Sequence, residues 1–229
     1  AMAGKSDFNW NRILKGATWF HFTGITPALS KNVAEITLKA VKAAHSMGIT
    51  VSCDLNFRKK LWSKEQACET MSEICKYVDV CIANEEDAKD VFGIEATDTD
   101  ITTGKLNREG YVSVAKQLTD KFDFKAVAIT LRESISASDN NWSGMLYTGG
   151  QAYFSKKYAL RIVDRVGGGD SFGGGLIYAM SNNYEPQQAI EFAVAASALK
   201  HSIEGDYNMV SVKEVQTLAG GDASGRVQR

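Results

Sequence analysis

An α/β fold with a mostly parallel sheet between helix layers is what this sequence predicts, on three observations. Short apolar runs at residues 17–22, 49–55, 78–83 and 126–131 alternate with longer stretches that carry apolar residues at helical spacing. Polar clusters at 54–58 and 84–87 stand at the carboxyl ends of two of those runs, where open α/β sheets hold their ligands. A further run, Tyr158 to Val163, feeds a glycine-rich turn that can only lead into helix, since Leu176 to Met180 is apolar and small.

The elements follow in order. Ala17 to Phe22, closed by Thr23-Gly24, reads as a buried strand and turn, with His21 a satisfied core or pocket-edge histidine rather than a ligand. A helix from Ser30 to Met47 would put Val33, Ile36, Ala40, Val41, Ala44 and Met47 on one face, and Gly48 ends it. The strand Ile49 to Leu55 runs out into Asp54, Asn56 and Arg58, which alternation would hold on one side while the path stays extended. An ordinary polar loop is the other reading. Ser63 and Gln66 form a capping box that opens the next helix. The strand Val78 to Ala83 ends in Asn84-Glu85-Glu86-Asp87, an acidic first turn that suits a helix dipole.

Residues 93–108, rich in Asp and Thr, read as a surface insertion. Val112, Ala115, Leu118 and Phe122 mark another helix face, and Ala126 to Leu131 the strand after it, ending at Thr130-Leu131-Arg132-Glu133. Ser134 to Ser155 reads as a hairpin turned at Gly149-Gly150. Pro186 starts a helix with a small-residue face that includes Ala189, Ala193 and Ala196, fit for a flat ring or for close helix packing. Gly205-Asp206 follows it. Ser211 and Glu214 cap a last helix, and residues 220–229 are expected to fray.

Composition bounds the function. A chain of 229 residues, 44% hydrophobic, can bury the core of one domain spanning 1–229. A net charge of −1 gives no reason to expect nucleic acid or an anionic membrane as partner. Cys53, Cys68, Cys75 and Cys81 form no C-x-x-C pair and read as reduced thiols of a cytoplasmic protein. No apolar run approaches membrane-spanning length.

The chemistry concentrates in Val163-Asp164-Arg165-Val166-Gly167-Gly168-Gly169-Asp170-Ser171-Phe172. Amides at a helix start lack intrahelical partners and lie at the positive end of the dipole, so they form an anion site. Glycines let a ligand approach them. Asp170 would lie beside the bound anion as a carboxylate base, which suggests phosphoryl transfer to a hydroxyl. The P-loop fails here because Asp170-Ser171 stands where Lys-Ser/Thr is required, and the dinucleotide fingerprint fails at Phe172. The competing reading is a glycine turn used only for helix–sheet packing.

Asp164 to Asp170 resembles the D-T-x-G-A-G-D signature of the ribokinase-like (PfkB) carbohydrate kinases, and D-R-V-G-G-G-D-S-F is similar to the branch containing 2-keto-3-deoxygluconate kinases. Arg165 replaces the usual Thr, where some members build a monovalent-cation site, and Gly168 replaces Ala. The pattern D-x-N-x-R-x-x-L-W from Asp54 and the wording around Trp142 resemble the same branch. The resemblance implies a three-layer α/β/α fold of which this chain covers the C-terminal two-thirds, without the family's first strands and lid. The start at Ala1-Met2-Ala3 agrees with a fragment.

It also implies ATP-dependent phosphorylation of a sugar-acid hydroxyl, with 2-keto-3-deoxy-D-gluconate giving its 6-phosphate. Asp170 would be the base and Gly167, Gly168 and Gly169 the anion hole. Arg58, Asn56 and Asp206 would bind substrate; Asn84, Thr130 and Arg132 would bind nucleotide. Asn84 and Asp87 would organise Mg²⁺ through water, with Glu86 a second candidate. Arg132 stands where the family has glycine; a surface salt bridge to Glu133 is the alternative. A homo-oligomer is compatible with all of this. The rival functions are a fructokinase or other ribokinase-like sugar kinase, a nicotinamide dehydrogenase, and a non-catalytic sugar- or nucleotide-binding fragment.

Overall fold

The computed structural model describes residues 3–84, 86–96 and 108–221. The chain divides into two compact units, Ala1–Ile129 with Tyr147–Gln151, and Thr130–Leu146 with Ala152–Arg229.

The first unit begins with a single-turn helix α1 (Trp10–Ile13), strand β1 (Trp19–Thr23), a second single turn α2 (Ile25–Ala28) and helix α3 (Lys31–Ser46). The Ser30 hydroxyl accepts a hydrogen bond from the Val33 amide and so satisfies a donor that the helix leaves unpaired. Val33, Ile36, Ala40, Val41 and Ala44 are buried along one face, as the spacing predicts. Met47 is not: it is the C-cap, 40% exposed, because the helix ends before that turn reaches the core.

Strand β2 (Thr50–Asp54), helix α4 (Lys64–Ile74), strand β3 (Val80–Ala83), helices α5 (Asp87–Phe92) and α6 (Arg108–Phe122) and strand β4 (Ala126–Ser134) continue the alternation. The capping box of Ser63 and Gln66 opens α4. β1, β2, β3 and the start of β4 pair in parallel in that order, with Cys53 opposite Cys81 and Val80 opposite Ala126. β3 is buried along its whole length, which is why it reads as a continuous apolar run.

β1 departs from the buried strand expected of it. Only Phe22 is buried; His21 is exposed, and its Nδ1 lies 2.8 Å from the Ser52 hydroxyl, which also accepts from Trp19 Nε1. Among the described residues β1 has a sheet neighbour on one side only, so a run of apolar letters here does not mean burial.

The second unit takes the end of β4, then β5 (Asp139–Thr148) and β6 (Gln151–Phe154) apart from the hairpin tip 147–151, β7 (Tyr158–Arg161) and helices α7 (Gly168–Ser181), α8 (Pro186–Lys200) and α9 (Val212–Ala219). β5 neighbours β4 and β6, and β7 pairs antiparallel with β5, Asp139 facing Arg161 and Trp142 facing Tyr158. Gly149 and Gly150 both have positive φ, the signature of a two-residue type I′ hairpin. The small face of α8 serves close packing on α7: a Cβ on Gly175 would lie 3.1 Å from both Ala193 Cα and Ala196 Cβ. Ser211 and Glu214 cap α9 reciprocally. Most of the expected insertion, 97–107, and the end of the expected frayed tail, 222–229, lie outside the described residues.

Cys53, Cys75 and Cys81 are buried and Cys68 is partly exposed, all as free thiols. Burial pushes the three buried thiols far above the ordinary range, so their nucleophilic thiolates are scarce. We expect a disulfide reagent at neutral pH to modify Cys68 alone in the native chain, with the other three reacting after denaturant is added; rapid native reaction of several thiols would contradict this packing. Among the described residues no helix is long and apolar enough to cross a membrane.

Candidate active site

In the first unit, the loop after β2 is fixed by three backbone devices. Leu55 donates its amide to Ile82 O at 2.9 Å, and the chain then turns at Asn56, φ 38. That left-handed residue breaks the extended path, so alternation does not carry Arg58 to the side of Asp54 as the sequence predicts. Asn56 Nδ2 donates to Thr23 Oγ1 at 3.2 Å. Gly24 closes the same corner: its amide donates to Asp54 O at 2.7 Å, and a Cβ on it would stand 2.1 Å from Leu55 O, so only glycine fits.

Asp87 ties this loop to the next. Its Oδ1 accepts from the Phe57 amide at 3.1 Å and its Oδ2 from the Asn84 amide at 3.0 Å. Asn84 Oδ1 in turn accepts from the Glu86 and Asp87 amides at 2.8 and 3.0 Å, where the chain enters α5. Asp87 is 4% exposed, and burial raises its carboxyl above the usual range against the pull of those amides and of Arg58.

The metal role expected of Asn84 and Asp87 is one exercised through water. Asn84 and Asp87 both have their oxygens engaged by amides, and Asp87 is buried, so a magnesium ion would meet them through water rather than directly. Among the described residues no group of three or more His, Cys, Asp or Glu side chains could hold a metal ion. Glu86 is exposed. Arg58 is also exposed, and among the described residues its guanidinium donates a hydrogen bond only to its neighbour's carbonyl, Phe57 O, at 3.2 Å, which leaves donors open to a ligand.

In the second unit the glycine turn opens α7 as expected. Gly167 is the N-cap at φ 80, and a Cβ there would stand 2.2 Å from Asp206 O. Gly168 is buried, and its would-be Cβ meets the His201 ring at 2.6 Å. Its amide donates to Arg165 O at 3.2 Å, so the expected anion hole loses the Gly168 donor to the turn itself. The Gly169 and Asp170 amides open the helix, where no intrahelical carbonyl precedes them. Around Gly169 a Cβ would meet nothing within 4 Å. Asp170 is the third helical residue, exposed, and its carboxylate has no hydrogen-bond or ion-pair partner among the described residues. Asp206 is exposed, with its backbone against Gly167.

Thr130 and Arg132 lie inside β4, not in a turn at its end, since the strand continues to Ser134. Thr130 is buried and Arg132 exposed. The salt bridge between Arg132 and Glu133 does not form; Glu133 takes Lys157 at 2.6 Å and Asn141 at 2.9 Å. Arg165 donates to Ala137 O at 2.5 Å.

Sequence reasoning passed over the residues that brace the turn. Asp164 Oδ1 accepts from the Val166 amide and Oδ2 from the Gly205 amide, both at 2.9 Å, so one carboxylate joins the turn to the loop of Asp206. Ser197 donates its hydroxyl to Gly168 O at 2.7 Å, and His201 Nδ1–H donates to Ser197 O at 2.7 Å with its ring 5.1 Å from that of Trp142. Burial lowers the pKa of His201 and favours the neutral ring, against the pull of its hydrogen bond to Ser197 O, which favours the charged one. Only Asp164 carried a signal, its place in the motif; Ser197 and His201 look like ordinary helix residues in one dimension.

The Val166 and Gly205 amides depress the Asp164 carboxyl below its ordinary 3.8. A depressed carboxyl adds stability that is complete above the unfolded value and is lost as pH falls through the folded one. Asp164→Asn should therefore remove a stability loss seen only below about pH 4, measured as melting temperature against pH. An acid limb identical in wild type and variant would show that the carboxylate does not hold this junction.

Comparison with known proteins gives the family. Residues 3–213 match the family model described as pfkB family carbohydrate kinase. A 2-dehydro-3-deoxygalactonokinase of Haloferax volcanii is 32% identical over 212 residues, 92% of this chain and 60% of that protein. The crystal structure of a 2-dehydro-3-deoxygluconokinase from Thermotoga maritima superposes with a TM-score of 0.90 at 50% identity, over 96% of this chain and 65% of that one. A putative ribokinase II from E. coli in complex with ATP and Mg²⁺ shares the fold, with a TM-score of 0.74 at 19% identity over 95% of this chain and 63% of that one. The chain thus spans less than two-thirds of the length of each.

Proposed function

The chain belongs to the pfkB family of carbohydrate kinases, and from that premise we propose that it carries the phosphoryl-transfer machinery of an ATP-dependent kinase for a 2-keto-3-deoxy sugar acid, 2-keto-3-deoxygluconate in the first instance. The observation that supports this most is the free Asp170 carboxylate on the first turn of α7, beside amides that glycine leaves open. Asp170 accepts the proton of the attacking hydroxyl, and the Gly167, Gly169 and Asp170 amides hold charge on the transferring group. Positioning and electrostatics do most of the work in a loose phosphoryl transition state. ATP would be taken as its Mg²⁺ complex, and Asn84 and Asp87, acting through water, are the residues that would organise the metal, which would neutralise charge on the phosphates. Asp206 and Asn56 are assigned to substrate, Asn84, Thr130 and Arg132 to nucleotide.

Arg58 is assigned to the substrate carboxylate. Two of the similar proteins carry names of 2-dehydro-3-deoxy sugar acid kinases, and such acids need a cation that fructose does not. A charge-assisted hydrogen bond contributes roughly 1.5–3 kcal/mol, or about 10- to 150-fold in KM. Arg58→Met should raise KM for the keto-acid by that factor and leave fructose nearly unchanged. Equal losses for both sugars would place Arg58 with the nucleotide or the fold. The whole reading is tested by phosphorylation assays over a panel of sugars and keto-deoxy acids: turnover of neutral sugars alone would favour a fructokinase, and nucleotide or sugar binding without turnover would favour a non-catalytic module.

A further inference from the structure

Lys200, the last residue of α8, is fully buried, with a relative exposure of 0%. Lysines near a surface ordinarily extend their charge to water. This one does not, and an ammonium held inside a protein is costly unless it is paired. Its Nζ donates to Ile203 O at 3.0 Å. Its Cε lies 3.3 Å from the point where Gly167 would carry a Cβ. Its charge also reaches Asp164, whose carboxylate it helps to keep ionised, and that carboxylate holds the Val166 and Gly205 amides. The ammonium is therefore enclosed between the two stretches that shape the anion turn, 164–167 and 203–206, on the inner side of Gly167.

We propose that Lys200 is a positioning residue for phosphate binding: its ammonium is a fixed positive charge behind the glycine turn, which locks the turn to the 203–206 loop and strengthens its hold on a phosphoryl group. The inference rests on the kinase reading. A methionine would fill nearly the same volume without the desolvation cost, so packing does not account for a charge at this place. A charge inside low-dielectric surroundings acts on a nearby anion far more strongly than one in water. Lysine at a helix C-terminus is unremarkable in sequence, where it reads as a partner for the dipole.

The test separates charge from volume. MgATP binding is measured by titration calorimetry, alongside turnover, in wild type, Lys200→Met and Lys200→Ala. Lys200→Met should lose about 10- to 100-fold in MgATP affinity or kcat/KM. Lys200→Ala should lose as much, and propylammonium should restore it saturably where 1-propanol, of similar shape and no charge, does not. Where the alanine variant fails to fold alone, melting in the two additives makes the same comparison. An indifferent Lys200→Met, recovery by both additives equally, or recovery by neither would overturn the proposal. A wild-type chain that bound no nucleotide would sink the kinase reading with it, whereas normal wild-type binding with an indifferent Lys200→Met sinks this inference alone.

Discussion

Asp170→Asn is expected to lower kcat by at least about 10²–10⁴-fold, the range of general-base catalysis, while MgATP affinity changes by no more than a few-fold. The geometry makes this a clean substitution. Asp170 is exposed and its carboxylate bonds to nothing among the described residues, so the amide replaces it without breaking an internal contact. The helix loses one favourable charge in its first turn, roughly 0.3–1 kcal/mol, too little to unfold a domain. Asparagine keeps the shape and the site's hydrogen-bond reach but cannot take a proton from an alcohol. Steady-state kinetics with a saturating acceptor, beside a nucleotide titration, read the two effects separately. A variant with near-normal kcat would remove Asp170 from the chemistry. Loss of nucleotide binding in step with kcat would instead make it a nucleotide ligand.

The contrast between Asp170 and Asp87 shows what could be read in one dimension. Both follow a β-strand and stand in the first turn of a helix, and both look like carboxylates offered to a ligand. What separates them is the neighbouring backbone. The loop after β2 comes close enough for Phe57 to bond Asp87, and nothing in the letters fixes that approach. Periodicity found the parallel strands and the capped helices because burial and caps are local consequences of spacing. It failed at Asn56, where one left-handed residue ends the alternation, and at β1, whose apolar run has an open side. Lys200 was illegible for a related reason: its depth depends on Gly167 and Ile203, far from it or across a helix end in sequence. The glycine turn was legible because its chemistry lies in consecutive residues.

Those glycines support the second large effect, because the structure assigns them different duties. Gly169→Val should fold with little change in melting temperature, since a Cβ there meets nothing within 4 Å and the backbone is already helical. Its branched side chain would occupy the space above the open amides, where a phosphate must approach. Losing one such donor costs about 10²–10³-fold in rate, and obstruction of two should cost at least that, with MgATP affinity falling too. Gly167→Ala should behave otherwise. Its φ of 80 disfavours any other residue, and its Cβ would be forced to 2.2 Å from Asp206 O, so backbone must move. Stability and activity should fall together there, with the junction of Val166 and Gly205 on Asp164 the first to loosen. The pair distinguishes an anion site from a packing device. If the turn exists only to seat α7, Gly169→Val costs nothing and Gly167→Ala costs stability alone. If it binds phosphate, Gly169→Val leaves a folded chain that neither holds nor uses MgATP, and a folded Gly169→Val variant with normal turnover would end the phosphoryl-transfer assignment of this turn.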